Sequence, residues 1–258
     1  MSQITRTLWP SSNVPYSLHL LLTTKCSLGC PDCYYRDTPG SWPFSDAMIL
    51  VAEAAKMGVR WLALGGGEPT EWYCLVELVD YAKELGLRVA VTTNGTYLLP
   101  LNADRIHISH DTMHRTSRQA VLNAVDFYKS RGAEVGLNVI ADDFNFVMGL
   151  PFQEVANVVL LLPKPYKQDE DWLKEIRAVI DNIHQNRLTQ VFVDACLGRL
   201  LTGRHCMQGR SSMSLDQLGG ASVCSNVPRK YPAPSLQEGW EAVRIRGDNQ
   251  QIGCIIKT

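Results

Sequence analysis

The stretch RWLALGGGEPTEWYCLVELVDYAKELGLRVAVTTNG, residues 60–95, carries the reading of the fold. It opens on an apolar run that ends in a glycine triplet, the pattern of a fully buried strand. Residues 71–86 then place apolar side chains three and four apart and stop at Gly86, which suits an amphipathic helix with a glycine terminator. A second apolar run, RVAVTTNG (88–95), closes the unit. Strand, helix and strand in that order make one βαβ crossover, and such crossovers build parallel sheets.

The same alternation extends in both directions. YSLHLLLT (16–23) reads as a buried strand and SDAMILVAEAAKMG (45–58) as a helix between a serine cap and a glycine stop. RIHISHD (105–111) is a strand, followed by a helix over about 114–131 and by strands EVGLNVIA (134–141) and NVVLLLP (157–163). DEDWLKEIRAVIDNIHQN (169–186) is helical, and QVFVDACL (190–197) is the last strand of the series. Six or so units lie between a flat doubly wound sheet and a complete eight-fold barrel, and periodicity alone leaves that choice open. Beyond 197 the chain turns Gly- and Ser-rich, then offers a Pro-rich linker and one helix within KYPAPSLQEGWEAVRIRG (230–247). The expected organisation is an N-terminal extension (1–13), a main α/β domain (14–197) and a small cysteine-bearing domain (198–258).

Composition narrows the class. Of 258 residues 45% are hydrophobic and 20% charged, and the formal charge of −1 provides no field for duplex nucleic acid or anionic lipid. No apolar stretch is long enough for a signal peptide or a membrane span. A cytoplasmic enzyme is therefore expected, with cysteines kept reduced and serving as metal ligands or catalytic groups.

Eight cysteines fall largely into two groups. In TTKCSLGCPDCYY (23–35), Cys26, Cys30 and Cys33 follow a C-x3-C-x2-C spacing just after the first strand, on the edge where parallel α/β folds bind ligands. Three thiolates are one short for structural zinc, unless a distant ligand completes the set, but they can hold a [4Fe–4S] cluster by three corners and leave one iron open. The triplet in LALGGGEPT (62–70) lets backbone approach a ligand with no Cβ in the way. Polar residues end the later strands: Asn94, Ser109 with Asp111, Asn138 and Asp194. Each could contact a ligand or cap a turn. Asp194 is the best acid–base candidate outside the cysteines. The six histidines share no metal-ligand spacing, and His107, His110 and His114 suit a solvated loop at least as well as a substrate contact. Cys74 reads as a packed thiol.

With those motifs the chain resembles the radical S-adenosylmethionine (SAM) superfamily. The resemblance implies a partial (β/α)6 TIM-like barrel in which Cys26, Cys30 and Cys33 hold a [4Fe–4S] cluster and SAM chelates the fourth iron. It implies that Gly66, Gly67, Glu68 and Pro69, the GGEP motif, bind the SAM amino group. Asn94 lies near SAM, Ser109 and Asp111 face its ribose, and Asn138 contacts adenine and ribose. The family often has an aromatic residue before the third cysteine, packed on adenine. Asp32 stands there instead, and Tyr34 follows the cysteine as the aromatic cofactor contact.

The second group is Cys196, Cys206, Cys224 and Cys254. CMQGRSSMSLDQLGGASVC (206–224) reads as a hairpin with a glycine turn at Gly219, followed by the helix in SLQEGWEAVRIR. This order resembles the SPASM/Twitch extension of radical SAM enzymes and implies an auxiliary [4Fe–4S] cluster. A final Cys-x2-Cys would need cysteine at Lys257, so Cys196 supplies the fourth thiolate, or it donates hydrogen while the cluster keeps an open iron for substrate. Structural zinc is the remaining alternative. The implied chemistry is reduction by flavodoxin or ferredoxin, cleavage of SAM to a 5′-deoxyadenosyl radical, and hydrogen abstraction from a substrate carbon. The auxiliary cluster would assist a net oxidation or cross-link in natural-product, peptide or cofactor biosynthesis. The sequence shows no N-terminal winged helix for a leader peptide, which favours a small molecule or a peptide bound without one. A nucleotide-rearranging enzyme and a non-catalytic metal-binding protein are the alternatives.

Overall fold

The computed structural model describes residues 13–31, 33, 39–164, 169–203, 209, 211–225 and 231–247, with backbone alone at Pro232 and at 245–247. Seven parallel strands follow one another in space as in sequence: β1 (Ser17–Thr23), β2 (Trp61–Gly66), β3 (Arg88–Thr93), β4 (Arg105–Ser109), β5 (Glu134–Ile140), β6 (Asn157–Leu161) and β7 (Gln190–Val193). Helices α1 (Phe44–Met57), α2 (Leu75–Glu84), α3 (Arg118–Lys129), the single turn α4 (Phe144–Met148), α5 (Glu170–Gln185) and α6 (Ala195–Thr202) join them, with no helix between β3 and β4.

The periodicities that announce these elements also pack them. Leu18, Leu20 and Leu22 alternate along β1 and join one core with Ala47, Val51 and Ala54 of α1 and with Leu75, Leu78, Val79 and Ala82 of α2. Alternate residues face the other side of the sheet. There the guanidinium groups of Arg88 and Arg105 lie 4.3 and 5.2 Å from the Trp61 ring, and Arg105 pairs with Glu134 at 2.9 Å. Asn157 donates to Glu134 at 3.0 Å, and His107 Nε2 bonds Asn157 Oδ1 at 2.9 Å. Trp61, Arg88, Arg105, Glu134 and Asn157 all open their strands, so this network braces the strands' N-terminal end and leaves the opposite edge for chemistry.

Several expected boundaries shift, each for a local reason. The strand expected to reach 197 ends at Val193, because Asp194 Oδ1 accepts from Leu197 N at 2.7 Å and caps α6. The helix expected from 71 begins at Leu75, after a 3-10 turn over Pro69–Glu71 that Glu68 caps. Pro43, not Ser45, stands at the N-cap of α1, and Gly58 in the left-handed conformation ends it as expected.

The C-terminal segment continues the same sheet. β8 (Ser212–Leu215) pairs parallel with β1, β9 (Gly220–Ser222) turns back antiparallel, and β10 (Tyr231–Pro232) pairs antiparallel with β9. The turn between β8 and β9 is held by Asp216 Oδ1, which accepts from Leu218 N and Gly220 N. The expected helix follows as α7 (Leu236–Gly247), burying Leu236, Trp240 and Val243. Leu236 N donates to Glu53 of α1 at 3.1 Å. α6 runs through position 197. Among the described residues no helix is long and apolar enough to cross a membrane.

Candidate functional site

The cysteine loop leaves β1 at Thr23 and is closed at its base by an antiparallel bridge between Thr23 and Ser41. Thr24 N donates to Gly40 O at 3.0 Å, Trp42 N to Leu22 O at 2.9 Å, and the Thr23 and Ser41 hydroxyls meet at 2.6 Å. Cys26, Cys30 and Cys33 sit on the loop above this clasp, over the C-terminal edge of the sheet.

The glycine motif lies directly against the loop. Gly67 N donates to Thr23 O at 2.6 Å and Glu68 N to Lys25 O at 2.8 Å. Gly66 has φ +129°, and a Cβ there would run into the Thr23 carbonyl oxygen. At Gly67 a Cβ would come within 2.5 Å of Lys25 O and 2.7 Å of Thr24 C. Both positions require glycine because the chain entering the cysteine loop crosses them. From one turn further on, Glu71 Oε1 accepts from Ser27 N at 2.7 Å and fixes the residue after Cys26.

Glu68 is buried (1% exposed) and fully engaged. Its Oε1 accepts from Thr70 N, Thr70 Oγ1 at 2.7 Å and Thr93 Oγ1 at 2.7 Å, while Oε2 accepts from Asn94 N at 2.7 Å. Burial still pushes its carboxyl above the usual range, against the pull of those donors. The carboxylate thus ties the glycine turn to the end of β3. Asn94 lies beside it, with Nδ2 3.7 Å from Cys26 Sγ.

Burial raises the Cys30 thiol, and the charges of Cys26, Cys33 and Asp111 raise it further. Burial likewise raises Cys26, with Glu68 and Glu71 adding to the effect. Among the described residues, however, no three His, Cys, Asp or Glu side chains converge on one ion position, and the six described cysteines form no disulfide. Three cysteines on one loop match a [4Fe–4S] cluster held by three corners, whereas a structural zinc takes four protein ligands. Cys26, Cys30 and Cys33 could hold such a cluster by three irons.

The β4 edge carries a buried hydrogen-bond network. Asp111, expected to face a ribose, is 2% exposed and accepts through Oδ1 from Met113 N, His114 N and His114 Nδ1, the last at 2.8 Å. Its Oδ2 accepts from Ile140 N at 3.3 Å. Burial alone would raise this carboxyl, but the His114 contacts and the backbone amides hold it below the usual carboxylate range. His107 and His110 are not solvated loop residues: His107 is a strand residue bonded to Asn157, and His110, 5% exposed, packs edge-on against Phe146. Burial pushes both imidazoles below the ordinary histidine value. Ser109, the last residue of β4, and Asn138 of β5 are register partners on adjacent strands. Asp194 is occupied as a helix cap, and burial raises its carboxyl. Cys74 stands at the N-cap of α2, half-buried against the core. Cys196 lies in the first turn of α6, after β7, and Cys224 follows β9, near opposite ends of the strand order. Tyr34, Cys206 and Cys254, like Asp32, lie outside the described residues.

Residues 20–140 match the model of the Radical SAM superfamily, a span that runs from within β1 to the end of β5 and includes the three cysteines and the glycine motif. The chain carries a Radical SAM domain. SAM and a [4Fe–4S] cluster are the cofactors of that family. A protein named "Probable GTP 3',8-cyclase" from Methanothermobacter thermautotrophicus is 30% identical over 156 residues, 54% of this chain and 51% of the relative, so the match spans about half the relative's length. Among solved structures, Streptococcus suis SuiB bound to S-adenosylmethionine superposes with TM-score 0.75 over 93% of this chain and 68% of its own, at 16% identity. SuiB bound to its precursor peptide SuiA gives 0.73 over 93% and 67%, at 15% identity. At those identities the likeness to SuiB is one of fold: an α/β partial barrel built on a parallel sheet.

Proposed function

We propose that Cys26, Cys30 and Cys33 carry the [4Fe–4S] cluster of a radical SAM enzyme, with SAM held by the backbone of Gly66, Gly67, Glu68 and Pro69 and flanked by Tyr34, Ser109 and Asn138. Three cysteines on one loop, clasped at its base and bonded to the glycine turn that ends β2, carry this reading. When bound, the cluster and SAM supply one-electron cleavage of SAM to methionine and a 5′-deoxyadenosyl radical, which takes hydrogen from a substrate carbon. The protein's part is positional. The Thr23–Ser41 clasp and Glu71 set the loop, the glycines bring backbone to the ligand, and Glu68 locks the turn to β3.

The second cysteine group extends the reading to an auxiliary [4Fe–4S] cluster on Cys206, Cys224 and Cys254; Cys196, past β7 at the other end of the strand order from Cys224, is its fourth ligand or stands apart as a hydrogen donor. When bound, such a cluster would supply an acceptor for the electron left on a substrate radical, suiting a net oxidation or cross-link of a peptide or small molecule, with flavodoxin or ferredoxin as reductant. The fold shared with SuiB, solved with its precursor peptide, favours a peptide. The sequence relatives named GTP 3',8-cyclase favour a second reading, a nucleotide substrate at an open auxiliary iron. Anaerobically reconstituted protein, reduced and given SAM, would be offered GTP and short peptides in parallel. Formation of 5′-deoxyadenosine stimulated by peptide supports the first reading, and stimulation by GTP alone the second. Cys196→Ala should lower the iron content below that of the wild type if Cys196 is a ligand; unchanged iron removes it from the set.

A further inference from the structure

Asn94 directly follows β3 in the VTTNG stretch, and its side chain is oriented by contacts that leave it one direction. Oδ1 accepts two hydrogen bonds, from Thr96 N at 2.9 Å and from Thr96 Oγ1 at 2.6 Å. Exchanging the oxygen and nitrogen would set the amide's own hydrogens against the Thr96 N–H, so the orientation is fixed by chemistry. Nδ2 is thereby turned toward Cys26 Sγ, 3.7 Å away, within reach of an N–H···S hydrogen bond. The backbone is anchored separately, because Asn94 N donates to Glu68 Oε2 at 2.7 Å. The residue is 5% exposed, so water competes little for the amide hydrogens.

We propose that Asn94 is a positioning residue for the Cys26 thiolate, donating a hydrogen bond that raises the reduction potential of the cluster held there. The inference rests on Cys26 being a cluster ligand and gives Asn94 a role distinct from direct contact with SAM. Hydrogen bonds to cluster sulfurs withdraw electron density and stabilise the reduced state, and outer-shell donors of this kind tune metal sites. At this corner the donor opposes nearby anions, since Glu68 and Glu71 both act electrostatically on Cys26. One buried amide therefore offsets the carboxylates that build the turn and clasp the loop.

The test is a redox titration of the full-length protein, loaded anaerobically with iron and sulfide and followed by the electron paramagnetic resonance signal that changes when SAM is added. Asn94→Leu keeps the side chain's size and removes the donor, and Asn94→Asp also adds a negative charge. Both should load iron like the wild type and titrate at more negative midpoints, Asn94→Asp the further of the two; each tenfold change in the one-electron equilibrium corresponds to about 59 mV. An Asn94→Leu midpoint equal to that of the wild type overturns the proposal, since a residue that merely supports the fold would not move a potential. If Asn94→Leu fails to take up iron, Thr96→Val decides. It releases one anchor of the carboxamide without touching the cysteines, and should shift the midpoint in the same direction; an unmoved midpoint there overturns the proposal as well. A wild type without any SAM-responsive signal would defeat the cluster reading itself, which is a separate failure from an unmoved variant.

Discussion

Glu68 shows how a family motif can be structural and chemical at once. Its four donors come from the glycine turn and from β3, 25 and 26 residues away in the case of Thr93 and Asn94. Glu68→Gln places an NH2 group against at least one of those donors and leaves a buried group unsatisfied, so it should cost on the order of 2 kcal/mol. The urea midpoint measures it; a change near zero would mean that the turn is held by backbone alone. At this scale the sequence was partly legible. The cysteine spacing and the glycine triplet can be read because the chemistry sits in the spacing itself. Glu71 and Thr96 could not, since Glu71 finds Ser27 across 44 residues and Thr96 acts through Asn94. Asp111 was legible as a polar residue after a strand but not as a buried acceptor, because Ile140 reaches it from β5 only in the fold, beside the local donors Met113 and His114.

Among the elements, strands and helices were legible in type and less so in extent. Their periodicity records which face is buried, whereas their ends depend on caps. Asp194 and Glu68 each terminate an element earlier, or start one later, than apolar content suggests. Asp104, between β3 and β4, ties elements together instead, accepting from Lys83 of α2 at 2.7 Å and from Val89 N of β3 at 2.7 Å. Burial would raise its carboxyl, but Lys83, the amide and Arg88 prevail and hold it below the usual carboxylate value. The folded group therefore binds its proton less readily than the unfolded one. Its stabilising contribution is full above about pH 4 and fades as pH falls through the folded value. Asp104→Asn should cost about 1 kcal/mol at pH 7 and show a shallower loss of stability on acidification than the wild type. Urea titrations at pH 7 and pH 3 compare the two; parallel pH profiles would contradict the assignment.

For the whole molecule, the parallel sheet was legible from alternation, while its extension was not. β8 is only four residues long and reads as part of a separate appendage, yet it pairs with β1, the strand that delivers the cysteine loop. Trp240 of α7 is fully buried, and its indole nitrogen has no hydrogen-bond partner among the described residues, so its contribution comes from packing. Trp240→Ala should lose about 3–5 kcal/mol in a single cooperative transition. Two transitions would show instead that residues 198–258 unfold as a unit of their own. The central claim, that the molecule assembles a SAM-cleaving cluster on the β1 loop, is tested most directly by anaerobic reconstitution followed by reduction with SAM present. The wild type should bind about four irons at this site and release 5′-deoxyadenosine, and Cys30→Ala should do neither; a wild type that binds zinc and leaves SAM intact would contradict the account.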